Sequence, residues 1–224
     1  MNQLSCFVQS CNEAEGGDSA VSSTKPVADA TPKTARGRRT RQNILDAAEK
    51  EFGERGFHEA AINRITESAG VAMGTFYVHF ESKESIFRAL VSHMGQLTRR
   101  WIAERVADAP DRLTAERLGL EAFIEFVRQH RDLYRIVNES QFVAPDAYHE
   151  YYSEFAKSYQ RRLREAAAKG EISQGDDEQR AWSLIGISVF LGMRYGVWDD
   201  SRPASEVAKG AADFIEFGLK PEAR

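Results

Sequence analysis

No residues in this chain are spaced for catalysis or metal binding. The histidines, His58, His79, His93, His130 and His149, share no metal-ligand spacing. The sequence contains no H-E-x-x-H, C-x-x-C or G-x-S-x-G arrangement. It therefore gives no reason to expect an enzyme, a metal or a cofactor. The chemistry its spacing does support is recognition of a polyanion. Ile62, Ile65 and Ala69 fall on one face of a short helical segment. Gly70 then ends that segment, and a second short helix is predicted from about Met73 to Phe80. Two short helices joined by a tight Gly-containing turn make a helix-turn-helix, whose second helix enters the major groove of DNA. Just upstream, Lys33, Arg36, Arg38, Arg39 and Arg41 form a run without an acid. Such a run is either a solvated charged stretch or, beside a helix-turn-helix, a flexible arm for phosphates or the minor groove. Charge distribution favours the arm. The whole chain has a formal charge of -4, yet residues 33–100 hold 12 Lys+Arg against 8 Asp+Glu, and residues 101–224 hold 17 against 22. The basic surplus thus coincides with the helix-turn-helix.

The segments TRQNILDAAEKEFGERGF and INRITESAGVAMGTFYVHFESKESIF, between Thr40 and Leu90, resemble the amino-terminal domain of the TetR family of bacterial transcriptional repressors. Apolar positions and turn glycines stay in phase throughout. The resemblance implies that Thr75, Tyr77 and His79 read bases and phosphates, with Gly74 allowing close backbone approach. It implies phosphate contacts at Thr40 and Arg41, and a phosphate grip by Lys83 with the amides that open its helix. Asn63 and the arm residues Arg36, Arg38 and Arg39 complete the candidate DNA contacts. Phe76 and Phe80, four apart, belong on the inward face. Two positions depart from the family pattern: Ala61 replaces a hydroxyl residue, and Met73 a cationic one. Fewer ionic contacts, on the order of four to eight per dimer, are therefore expected.

Helical elements must position these residues. A 224-residue chain with 42% hydrophobic and 29% charged residues can bury a core and fits an ordinary soluble protein. Residues 1–32 are polar and small, and are expected to be disordered; Cys6 and Cys11 there read as free thiols. No signal peptide is recognised. The fold is expected to be all-α: a three-helix head over 33–82, then six helices over 83–224. Helix 1 is predicted from Thr40, as N-cap, to Arg55, ended by Gly56. A long helix from Ser82 to about Val106 links the head to the rest. Further helices are predicted at about 114–130, 132–139, 146–169 and 177–198, with one more after Pro203 and a loop around Pro145.

The fourth of these predicted stretches after the head, 146–169, carries a stripe of Tyr148, Tyr151, Tyr152, Phe155, Tyr159 and Leu163, which serves either as core or as the wall of a ligand pocket. Candidate pocket residues are Phe123, Phe126, Tyr134, Phe142, Tyr148, Tyr152, Phe155, Trp182, Phe190 and Arg194. Arg194 sits in an apolar helix and needs a partner, either a protein carboxylate or an anionic ligand group. That helix falls short of a membrane span. Its Gly186, Ser188, Val189 and Gly192, with Phe214 and Phe217 of the last helix, are the expected dimer interface. Taken together, the residues and the resemblance point to a cytoplasmic homodimer acting as a repressor. It would leave a palindromic double-stranded operator when a small hydrophobic or acyl-type effector binds. The alternatives are an effector-independent DNA-binding regulator or activator, and a binding module whose helix-turn-helix is vestigial.

Overall fold

A computed structural model of the chain describes residues 32–219, which are helical with no strand among them. The expectations for the tail, Cys6 and Cys11 included, fall outside the described residues but for Pro32. The elements are α1 (Ala35–Glu59), α2 (Ile62–Ser68), α3 (Met73–His79), α4 (Lys83–Val106), α5 (Arg112–Gln129), α6 (Arg131–Val143), α7 (Pro145–Ala168), α8 (Asp177–Gly192), a π-helical continuation (Met193–Trp198) and α9 (Ala204–Leu219).

α1 begins five residues earlier than Thr40. The Thr34 side chain accepts the Gly37 N–H at 3.1 Å and so caps the helix instead. Arg38 folds back to donate to the Lys33 carbonyl at 2.8 Å. Arg36, Arg38 and Arg39 therefore lie on the first turns of a helix, not on a flexible arm, and Thr40 is not a cap. Ile44, Leu45, Ala48 and Phe52 form its buried face. Gly56 interrupts the helix with φ 76° and ψ 169°, a conformation that favours glycine.

The helix-turn-helix forms where local signals placed it. Gly70 has φ 65°, and the Val71 N–H donates to the Thr66 carbonyl at 3.0 Å, closing α2. α4 opens on a reciprocal pair: the Ser85 N–H donates to Ser82 Oγ and the Ser82 N–H to Ser85 Oγ, both at 3.1 Å. α6 runs four residues beyond its predicted end, because Leu133, Ile136, Val137 and Ser140 give it a buried face. Pro145 does not sit in a loop. It occupies the first turn of α7, where a missing N–H costs nothing, and Ala144 alone separates α6 from α7. The predicted single helix to Trp198 widens at Met193. There Gly192 and Gly196 admit Phe123 and Val127, each of which would lie 2.6 Å from an added Cβ.

One apolar core joins α1 through α4 to α6, including Phe52, Phe76, Phe87, Leu90 and Ile136. A second gathers Leu163, Ala181, Leu184, Ile215 and Leu219, and a third packs Leu120 and Ile124 of α5 against Val207 and Ala208 of α9.

Candidate nucleic-acid interface and interior cavity

The inner face of α3 is fixed by Phe76 and Phe80, 0% and 3% exposed, so the helix can present its other side. Tyr77 and Val78 are 53% and 79% exposed, and Met73 stands beside them in solvent. A Cβ at Gly74 would meet nothing within 4 Å. This glycine is therefore not required by the chain's own packing and leaves room for another molecule. Thr75 and His79 are half-buried. Burial, then the nearby Arg41, pushes the His79 imidazole below its ordinary range. Arg41 lies 4.9 Å from the Phe80 ring centroid. Arg36, Arg38 and Arg39 are exposed on α1, and Asn63 is exposed on α2.

Two ionic groups brace this head from within. Ala61 supplies no side-chain cap to α2, and its own N–H donates to Glu51 at 3.2 Å, which ties the start of α2 to α1. Glu51 also pairs with Arg64 at 2.7 Å and Arg55 at 3.3 Å. Burial pushes the Glu51 carboxyl up, but the Arg64 and Ala61 hydrogen bonds and the arginine charges outweigh it, leaving the group below its ordinary range. Lys83 differs from expectation. Its Nζ donates to the carbonyls of Phe57, Ala60 and His58 at 2.8, 3.0 and 3.1 Å, over the Phe57 ring. An ammonium has three protons, and all three are committed. Lys83 is here a tether between α4 and the C-terminal end of α1, and a phosphate would have to displace one of these bonds.

The aromatic residues divide differently from the sequence expectation. Phe123, Phe126, Tyr134, Tyr152 and Phe155 line a cavity of about 50 Å³ between α4, α5, α6, α7 and α8. Tyr148 stands outside it, edge-on to Tyr152 at 4.9 Å. Phe142 is 82% exposed, and Trp182 and Phe190 also face outward, so these three are not pocket residues. Arg194 is exposed and pairs with Asp199 at 3.1 Å. It thus has the protein carboxylate as partner, and no anionic ligand group is needed. The cavity instead takes Met94, Thr98 and Ile102 from α4, Tyr151 and Tyr159 from α7, and His130, Leu133 and Val137 around α6. Tyr151 and Tyr159 were legible as members of the aromatic stripe; their meeting with Met94, Thr98 and Ile102 was not.

Two residues expected at a dimer face, Ser188 and Val189, line this cavity. Ser188 Oγ donates to the Leu184 carbonyl, and the Val189 carbonyl accepts from Tyr134 Oη, at 2.9 and 2.8 Å. Gly192 is likewise turned inward, against Phe123. The outward face of α8 carries Trp182, Gly186 and Phe190 at four-residue spacing, and α9 adds Phe214 and Phe217, 73% and 86% exposed. Burial raises the phenol pKa of Tyr134 and of Tyr151 to about 12 and pushes Tyr152 and Tyr159 higher. The phenols of the cavity wall are therefore uncharged, and Thr98, His130 and Ser188 add further polar groups to it.

α6 joins the cavity to the head. Its Leu133, Tyr134 and Val137 line the cavity. On its other side Arg135 donates to the Gly53 carbonyl at 2.9 Å, and Glu139 accepts the Phe57 N–H at 2.8 Å. Glu49 of α1 lies at the same junction, where burial, Asp46 and Asp132 push its carboxyl up to about 7.

Residues 44–90 match the model of the "Bacterial regulatory proteins, tetR family". Over 193 residues the chain is 28% identical to the uncharacterised HTH-type transcriptional regulator YdgC of Bacillus subtilis, covering 84% of this chain and 96% of that protein. Its fold is similar to that of FadR from Bacillus subtilis in complex with stearoyl-CoA, with a TM-score of 0.68 at 21% identity over 78% of this chain and 96% of that one. It is also similar to Salmonella enterica GusR, with a TM-score of 0.70 at 22% identity over 84% and 99%.

Proposed function

The chain belongs to the TetR family of bacterial regulatory proteins, and on that premise we propose that this DNA-binding transcriptional regulator is a dimeric repressor. It leaves a palindromic operator when a small hydrophobic or acyl-type effector enters the interior cavity. Residues 33–82 act as the DNA-binding head, and the remainder as the effector and dimer part. Thr75, Tyr77 and His79 face bases and phosphates, while Asn63, Thr40, Arg41, Arg36, Arg38 and Arg39 face the backbone. The outward face of α8 and α9 meets its symmetry mate, setting the two α3 helices about 34–36 Å apart for successive major grooves. The protein works in the cytoplasm with its DNA.

The observation that carries the reading is the double role of α6, which walls the cavity with one face and holds α1 at Gly53 and Phe57 with the other. A cavity of about 50 Å³ is far smaller than an acyl chain, so an effector must spread α4, α6 and α7 to enter. Any such spreading strains the Arg135 and Glu139 contacts and alters the spacing of the heads. Effector and DNA then oppose each other by the same factor, on the usual scale of about 1–3 kcal/mol. The stearoyl-CoA bound to the FadR neighbour supports an acyl-type effector.

The test is fluorescence anisotropy of the protein on DNA upstream of its own gene, at two salt concentrations, with acyl-CoA and aromatic compounds added. Binding should weaken with salt at a log-log slope of about -0.9 per ionic contact, and one class of compound should release the DNA. A slope near zero overturns the assigned DNA interface. Salt-sensitive binding that no compound disturbs favours an effector-independent regulator.

A further inference from the structure

A second cavity of about 50 Å³ lies between α4, α5 and α7. Ile102, Gly119, Phe155 and Tyr159 line both cavities, so the two spaces meet at one shared wall. The chemistry changes across that wall. The first lining contains no Asp, Glu, Lys or Arg, whereas the second contains Arg99, Arg112 and Arg162 and no carboxylate. Arg112 is 9% exposed, and its Nε has no hydrogen-bond partner. Glu116, 4% exposed, lies 2.6 Å from Arg112 Nη2, yet Glu116 Oε1 has no aligned hydrogen bond either. Glu116 is also engaged by Tyr159, which lines both cavities, and feels the charge of Arg162, while Arg112 Nε keeps no acceptor. Burial drives the Glu116 carboxyl up, and Arg112, Tyr159 and Arg162 only partly reverse this. Glu171, a nearby acid, is engaged by the Arg112 backbone N–H at 2.9 Å. A buried guanidinium with an orphan N–H is costly, and a second anion beside it relieves that cost.

We propose that this second cavity is the anion site of the effector pocket. A hydrocarbon chain fills the uncharged cavity, and the acidic group it carries, a carboxylate or a thioester-borne phosphate, is held by Arg99, Arg112 and Arg162. The effector is thus an anionic amphiphile, not a neutral aromatic compound. Its charged end faces the α4–α5–α7 side, away from the outward face of α8. This rests on the effector reading above and deepens it.

The test is isothermal titration calorimetry on the full chain without DNA, using decanoate, decanol and decanoyl-CoA. Wild type should bind an anionic ligand at least about tenfold more tightly than decanol, the scale of one charge-assisted hydrogen bond. In the double variant Arg99→Gln, Arg162→Gln, the anion should weaken by about tenfold while decanol stays within about twofold. Arg112→Met combined with Glu116→Leu removes the buried pair without stranding a charge, and should reproduce that selective loss. If a variant fails to fold by thermal melting, the wild-type preference for anion over decanol decides. Stronger binding of decanoyl-CoA identifies the phosphates as the source of the anion; stronger binding of decanoate identifies the carboxylate. Equal affinity for decanoate, decanoyl-CoA and decanol overturns the proposal, as does equal loss of all three in the variants or no binding at all. An effector that binds selectively but does not shift DNA anisotropy would leave this site standing and overturn only the repressor reading.

Discussion

The outer face of α3 and the inner face of α7 carry the same residue type to opposite ends. Tyr77 is 53% exposed. Tyr151, Tyr152 and Tyr159 wall an interior cavity. The difference lies in what stands behind each helix. α3 is seven residues long and anchored by Phe76 and Phe80, so its other side has nothing to pack against. α7 has 24 residues enclosed by α4, α6 and α8. A tyrosine in the first place is a hydrogen-bonding tip offered to a partner; in the second it is an apolar wall with a buried phenol. Substitutions behind α3 should therefore act on stability, and substitutions on its face on binding.

The largest effect is expected for Phe76→Ala. Its ring is fully buried, and truncation should cost about 3–5 kcal/mol in urea unfolding. A loss below about 1 kcal/mol would mean that α3 is not pinned by its inner face. Next comes Glu51→Ala, which leaves the Ala61 N–H and Arg64 without their shared acceptor. We expect a loss of about 1–3 kcal/mol, with α2 amides exchanging faster with solvent. An unchanged exchange rate would show that the start of α2 is held by other means.

Glu49 gives a pH-dependent test at the α1–α6 junction. Its folded pKa of about 7 stands above the ordinary value of 4.5, so the folded state holds more protons than the unfolded state between these values. This group's contribution therefore favours folding below about pH 4.5 and is lost as pH rises through about 7. Glu49→Gln should stabilise the protein above pH 7 by about 1 kcal/mol, allowing for solvent screening at a half-buried site. Parallel wild-type and variant stability profiles from pH 5 to 8 would remove the junction's acidic strain from the account. The smallest stability effect, within about 0.5 kcal/mol, is expected for Tyr77→Ala. The same variant should lose operator affinity, and a variant that keeps full affinity would take Tyr77 out of the DNA interface.

What the sequence determined by itself was the helix-turn-helix and the order of helices. Its signals are local: the Ile62, Ile65 and Ala69 face, Gly70 at the turn, Phe76 and Phe80 four apart, and Ser82 at the head of α4 all act within a few residues of where they stand. The cap of α1 is local too, but Thr34 serves in place of Thr40, so Arg36 to Arg41 are helical. Tertiary structure decided the rest. Lys83 found three carbonyls more than 20 residues away. Along α8, apolar residues occur on nearly every side, so periodicity could not separate Trp182 and Phe190, which face outward, from Ser188 and Val189, which line the cavity. The cavity takes its walls from five helices spread over residues 94–189. No local pattern encodes which faces of such distant segments meet, because that choice is made by the mutual packing of the whole bundle.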